Sequence, residues 1–145
     1  GEYDAIILAC AGLIRLGFED RIRQPLDSKT SLPAVGQGAL GIENRKGDET
    51  VRELIKPLID SKTMTEDLAE RAMNATLEGS CSVAIAGYAA TMGEELLLKG
   101  LVGNVESGYI LRAESTGSIS QPGALGELVA NQLLAIGAGK LLEGV

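Results

Sequence analysis

The chain has 145 residues, 45% of them hydrophobic, with a net charge of -7 and no histidine. A surface of that sign repels phosphates, so nucleic acid and anionic membranes are excluded as expected partners. The missing imidazole excludes Ser-His-Asp and Cys-His catalysis within the chain and leaves acid–base work to Asp, Glu, Lys or Tyr.

In chain order, residues 5–9 (AIILA) are apolar without alternation, which predicts a strand buried on both faces inside a parallel sheet. No second strand of that type follows and the chain does not open on methionine. The expectation is therefore that the partners of this strand lie upstream, on a larger protein of which this is a C-terminal piece. AGLIRLGFEDRIR predicts a short helix and a loop, PLDSKTSLP is turn-rich between Pro25 and Pro33, and ALGIENR (39–45) alternates weakly as a strand. Val51, Leu54, Ile55 and Leu58 recur at i, i+3, i+4 and i+7, a helical stripe. Asp48, Glu49 and Glu53 favour its N-terminal end, and Pro57 ends it.

TMTEDLAERAMNATLEG (63–79) predicts the clearest helix. Thr63 and Glu66 have capping-box spacing, Leu68, Ala69, Ala72, Met73, Thr76 and Leu77 form the inner face, and Gly79 is the stop. Strands are predicted at about 82–91, 95–103 and 108–116, joined by hairpin turns at MGEE and NVESG. A last helix starts near Pro122, with Leu125, Leu128, Val129, Leu133 and Ile136 on its buried side, and Gly137 and Gly139 break it. Helix, three strands, helix makes an α+β unit: a three-stranded antiparallel sheet with helices on one face, preceded by incomplete α/β segments. Aromatics are only 3% of the chain, so the core is expected to be aliphatic. No run approaches the roughly 18 apolar residues of a membrane helix, and no signal-peptide pattern opens the chain, which favours reduced thiols and a cytoplasmic protein.

Four features carry candidate chemistry. GQGALG, Gly36 to Gly41, has G-x-G-x-x-G spacing, but a proline-bearing loop precedes it and a strand-like stretch follows, where a dinucleotide site needs a strand before and a helix after. Arg15 follows the apolar strand and a short turn, where a guanidinium can clamp a carboxylate; an exposed helix arginine is the plainer reading. Cys10, among alanines, reads as a small apolar residue. Cys81 sits between Ser80 and Ser82, open to an electrophile, yet no cation near it in sequence lowers its pKa and Glu78 opposes ionisation. An inert loop cysteine and a slow, one-time covalent attachment both remain open from spacing alone. No cysteine–histidine set of metal-ligand type exists.

LPAVGQGALGIENR and ERAMNATLEGSCSVAIAGYA, together with DAIILACAGLIRLG, resemble the porphobilinogen deaminase (hydroxymethylbilane synthase) family, with three motifs in the family's order across nearly the whole chain. That resemblance implies a transferase that joins four porphobilinogen molecules into hydroxymethylbilane, releasing ammonia, for haem and related pigments. It implies a dipyrromethane cofactor held by a thioether, which the motif assigns to Cys81. It implies that Arg15 holds acidic side chains of cofactor or substrate and that Gln37 assists nearby. Ser80 stands where many members have a second glycine, and Ala84 where they have proline.

The family has three domains, and its catalytic aspartate lies in the first, upstream of Gly1. By resemblance, residues 1–33 end domain two, 34–60 cross back toward domain one, and 61–145 form the cofactor-bearing domain. The expected partners are porphobilinogen and pyrrole oligomers and the missing N-terminal domains, in a monomeric parent; the chain alone is expected to be inactive. The alternative from a different class is a non-catalytic interaction module with Cys81 unmodified. A thiol redox protein is a weaker third, lacking a resolving cysteine at close spacing.

Overall fold

A computed structural model describes residues 3–78 and 84–142. The chain divides into two compact units, with the boundary between Ser31 and Leu32.

The first unit is short and mostly irregular. Helix α1 (Cys10–Arg15) is followed by Gly17, whose φ of 73° provides the left-handed step that ends it, and by a 3-10 turn over Glu19–Arg21. Asp27 closes a turn by accepting from Lys29 and Thr30 backbone N–H groups at 3.1 and 2.8 Å. Residues 5–9 are not a strand: they form no ladder, and Ile6 and Ile7 are 70% and 80% exposed. A strand exists only through its hydrogen-bonded neighbours, and none of the described residues pairs with this segment.

In the second unit, residues 39–45 likewise form no strand, and Leu40 is exposed. Helix α2 (Glu49–Ile55) starts at Asp48, whose carboxylate accepts from Val51 N–H at 3.1 Å, and passes at Pro57 into a 3-10 turn, Lys56–Leu58. Its stripe is only partly covered: Val51 and Ile55 are half-buried, while Leu54 and Leu58 are exposed.

The ordered core begins at α3 (Ser61–Thr76). Its N-cap is Asp60, accepting from Thr63 N–H at 2.7 Å, rather than Thr63. The helix ends at Leu77, and Glu78 takes the left-handed conformation at φ 54°; the predicted stop, Gly79, lies outside the described residues. Strands β1 (Ala84–Met92), β2 (Glu95–Gly103) and β3 (Ile110–Ser118) form an antiparallel meander in the order β1-β2-β3. The connections are tight: Gly93 at φ 65° turns the first, and Asn104 and Gly108 fix the second, with Asn104 Oδ1 accepting from Ser107 N–H. Helix α4 (Pro122–Ala135) and the short α5 (Ala138–Leu142) complete the chain, separated by Gly137 at φ 105°.

The α+β architecture expected from the sequence is therefore the one adopted, with α3 and α4 packed side by side on one sheet face. Alternation decides which residues point inward. Leu96, Leu98 and Val102 of β2 are fully buried, under Met73 and Leu77 of α3 and Val129 and Leu133 of α4. Each such side chain stabilises the fold by about 1.5–3 kcal/mol. On α4 the inner face is Leu125, Gly126, Val129, Ala130 and Leu133; Leu128 and Ile136, expected inside, are exposed. No helix among the described residues is long and apolar enough to cross a membrane.

Asp60 makes a testable contribution. The hydrogen bond from Thr63 holds its carboxyl below the ordinary carboxylate range. A depressed folded pKa means stability that is present at neutral pH and is lost as pH falls through the folded value. Asp60→Ala is expected to lower the urea midpoint at pH 7, with the difference from the parent chain closing in acid. A pH-independent difference would contradict the cap.

Candidate functional site

Of the three residues singled out by the motifs, the structure describes Arg15 and Gln37. Arg15 is the last residue of α1 and is exposed, where its charge meets the negative end of the helix. Among the described residues it forms no ion pair, so the guanidinium is presented to solvent with its planar donor edge intact. Cys81, with Ser80, lies outside the described residues; what is described is its two supports, α3 up to Glu78 and β1 from Ala84. Cys10 is a half-buried free thiol at the start of α1.

Gln37 lies in a tight turn of the second unit. Its Oε1 accepts from Ala34 N–H at 3.1 Å, and its own N–H donates to Ala34 O at 3.1 Å. With the carbonyl oxygen engaged, the end of the side chain left for a ligand is the amide nitrogen, a donor suited to a carboxylate. The GQGALG spacing has no dinucleotide geometry around it: residues 39–45 are irregular, and the next helix opens only at Glu49.

What sequence reasoning missed is the fastening of this turn. The segment 33–37 crosses the free edge of β1. Gly87 N–H donates to Pro33 O at 3.1 Å. Glu70 of α3 reaches between the two, accepting from Gly36 N–H at 2.8 Å through Oε2 and from Ala89 N–H at 2.8 Å through Oε1. Glu66, one turn earlier, accepts from Thr91 N–H at 2.8 Å. Gly87, Ala89 and Thr91 alternate, so these are the N–H groups that an edge strand points away from its sheet. One carbonyl and two carboxylates satisfy them in a row.

The geometry depends on Gly36, which sits at φ 70° with Asp67 Oδ1 only 3.0 Å from where a Cβ would stand. Glu70 is 8% exposed. Burial pushes its carboxyl above the ordinary glutamate range, against the lowering effect of the Gly36 and Ala89 hydrogen bonds and helped by the nearby negative charges of Asp67 and Glu66. The signal was legible in principle. Glu66, Ala69, Glu70, Met73 and Leu77 recur at i, i+3, i+4, i+7 and i+11, so two carboxylates lie within the buried stripe. Leu68, expected inside, is half exposed.

Two family models match the chain, in order. Residues 1–53 match porphobilinogen deaminase, dipyromethane cofactor binding domain, and residues 64–135 match porphobilinogen deaminase, C-terminal domain. The chain is 55% identical over 143 residues to a porphobilinogen deaminase of Ruthia magnifica subsp. Calyptogena magnifica, covering 99% of this chain and 47% of that protein. It is 53% identical over 143 residues to a porphobilinogen deaminase of Vesicomyosocius okutanii subsp. Calyptogena okutanii (strain HA), with the same coverage. The chain thus spans about half the length of the curated relatives it matches.

Proposed function

The chain belongs to the porphobilinogen deaminase family, whose cofactor is dipyrromethane, and from that premise we propose that it supplies the cofactor tether and part of the cleft of an enzyme that condenses four porphobilinogen molecules into hydroxymethylbilane with release of ammonia. The observation that carries this reading is the match of two successive models of one family along most of the chain, with Cys81 in the segment LEGSCS that joins α3 to β1.

Each residue has a distinct part. Cys81 Sγ would hold the cofactor through a thioether, its C–S bond forming once as the C–N bond of a pyrrole aminomethyl group breaks and the amine leaves as ammonia with the thiol proton. Dipyrromethane, when bound, supplies the pyrrole carbon from which the product chain extends. Arg15 pairs with acetate or propionate groups through its two-pronged edge, and the Gln37 amide nitrogen donates to the same class of group. These donors are of the right kind for a carboxylate-rich pyrrole. The acid–base group that handles the departing amine belongs to a preceding part of the protein, so the chain alone is inactive. Apolar side chains left in water at Ile6, Ile7, Leu40, Leu54 and Leu58 support docking of residues 1–60 onto that part.

Adding the preceding part of the protein in trans and assaying ammonia release tests this. The expected result is release and hydroxymethylbilane from the mixture and none from either piece, with an adduct of dipyrromethane mass on the chain. Product from the chain alone contradicts the assignment of proton handling elsewhere. A folded complex with neither adduct nor product leaves the interaction-module reading in its place.

A further inference from the structure

We propose that Glu70 is a positioning residue that fixes the turn carrying Gln37 against α3 and β1, the two elements that flank Cys81 in sequence, an inference that rests on the function proposed above. Three stretches of chain meet at one carboxylate. Glu70 is part of α3, the helix that leads into the Cys81 segment; Ala89 is part of β1, the strand that leads out of it; Gly36 is the residue before Gln37. Each carboxylate oxygen holds one N–H at 2.8 Å, so the group acts as a two-pronged clamp between the turn at Gly36 and the middle of β1.

The clamp is specific to this residue type. A carboxylate presents acceptors at both ends; an amide of the same shape presents one acceptor and one donor. Glu66 cannot replace it, because its oxygen is engaged by Thr91 N–H. The charges that raise its proton affinity are Asp67 and Glu66 on α3; the cations of that helix pair with those two carboxylates, Arg71 with Asp67 at 3.8 Å and Lys62 with Glu66 at 3.9 Å. The segment 32–38 brings no ionisable side chain, and β1 brings only Tyr88, on the opposite pleat. Protonation converts one acceptor oxygen into a hydroxyl, so the clamp weakens on one side as pH falls, above the pH at which an exposed glutamate titrates. Global stability has the opposite sign. A raised folded pKa means a contribution fully present below the unfolded pKa and lost as pH rises through the folded one. Glu70→Gln therefore loosens one prong without unfolding the unit.

Amide exchange and amide shifts in the chain test the clamp. In the unmodified chain the Gly36 and Ala89 amide resonances are expected to titrate together, with one midpoint above that of an ordinary glutamate. Glu70→Gln should quicken exchange at one of these two amides about tenfold or more, the effect of losing a bond to a charged acceptor, while the Leu98 amide keeps its rate. Separate midpoints, no titration, or acceleration shared with Leu98 overturn the clamp. In the protein completed by its preceding part, Glu70→Gln should slow pyrrole addition by about tenfold to a hundredfold with the Cys81 adduct still formed, since small misplacements of binding groups cost rates of that order. A loosened clamp with an unchanged rate overturns the positioning role. Lack of activity in the unsubstituted completed protein overturns the functional reading and the positioning role with it, while exchange still decides the clamp.

Discussion

Gly126→Ala is expected to lower the stability of the C-terminal unit by about 2 kcal/mol and its melting temperature by about 10 °C. Gly126 is where α4 lies closest to α3. A Cβ there would meet Ala69 O, Ala72 Cβ at 2.6 Å and Met73 N at 2.7 Å. Two of the three are α3 backbone, which no rotamer change can move aside. The helices must part, and the contacts of Met73 with the sheet and of Val129 with its neighbours loosen with them. Overpacking of this kind costs about 3 kcal/mol at its upper range, and alanine in place of glycine in a helix returns about 1, so the clash wins. Gly123→Ala is the matched control on the same helix: nothing lies within 4 Å of its Cβ position, and its stability is expected to hold or rise slightly. Urea unfolding of both variants reads the difference as a midpoint shift at constant slope. Equal midpoints would mean that the α3–α4 crossing is not close-packed at Gly126.

Such crossings explain how much of the fold was legible in the sequence. The hairpins, the two long helices and their order were legible because alternation, Gly93 and Gly108 turns and the 3.6-residue period are local signals. The inner face of α3 was legible at Ala69, Met73 and Leu77 but not at Leu68, which is exposed, nor at Glu66 and Glu70, because the rule that charged residues point outward fails for two carboxylates needed by a strand edge far along the chain. Met73 was expected inside, but not the shape of its seat. Gly87 and Gly100 pair across β1 and β2, and a Cβ on either would stand 2.8 Å from Met73 Cε or 2.5 Å from its Sδ. A glycine in a strand says that something comes close, not what. AIILA and ALGIENR failed for a different reason: β-branched, apolar composition gives a segment the capacity for a strand, and only a ladder partner makes it one. Of the candidate site, Arg15, Gln37 and Cys81 came from motif resemblance; the clamp that holds Gln37 came from tertiary geometry alone.

Cys81→Ser, in the protein completed by its preceding part, is expected to abolish both the dipyrromethane adduct and hydroxymethylbilane formation, while Cys10→Ser preserves both. The two side chains differ by one atom, and the difference is decisive for carbon–heteroatom bond formation. A thiol of pKa about 8.5 is a few per cent thiolate at neutral pH, and that fraction is strongly nucleophilic. A serine hydroxyl is a poor nucleophile unless a base takes its proton, and the chain has no histidine to do so. Under the proposed role slow sulfur chemistry suffices, because the bond would be made once per protein molecule and then kept through turnovers. Cys10 is half-buried in the first unit and serves as the internal control for thiol chemistry in general. Intact and peptide masses locate the adduct. An adduct on the serine variant, or one carried by Cys10, would remove Cys81 from the role of tether and leave the family resemblance without its central atom.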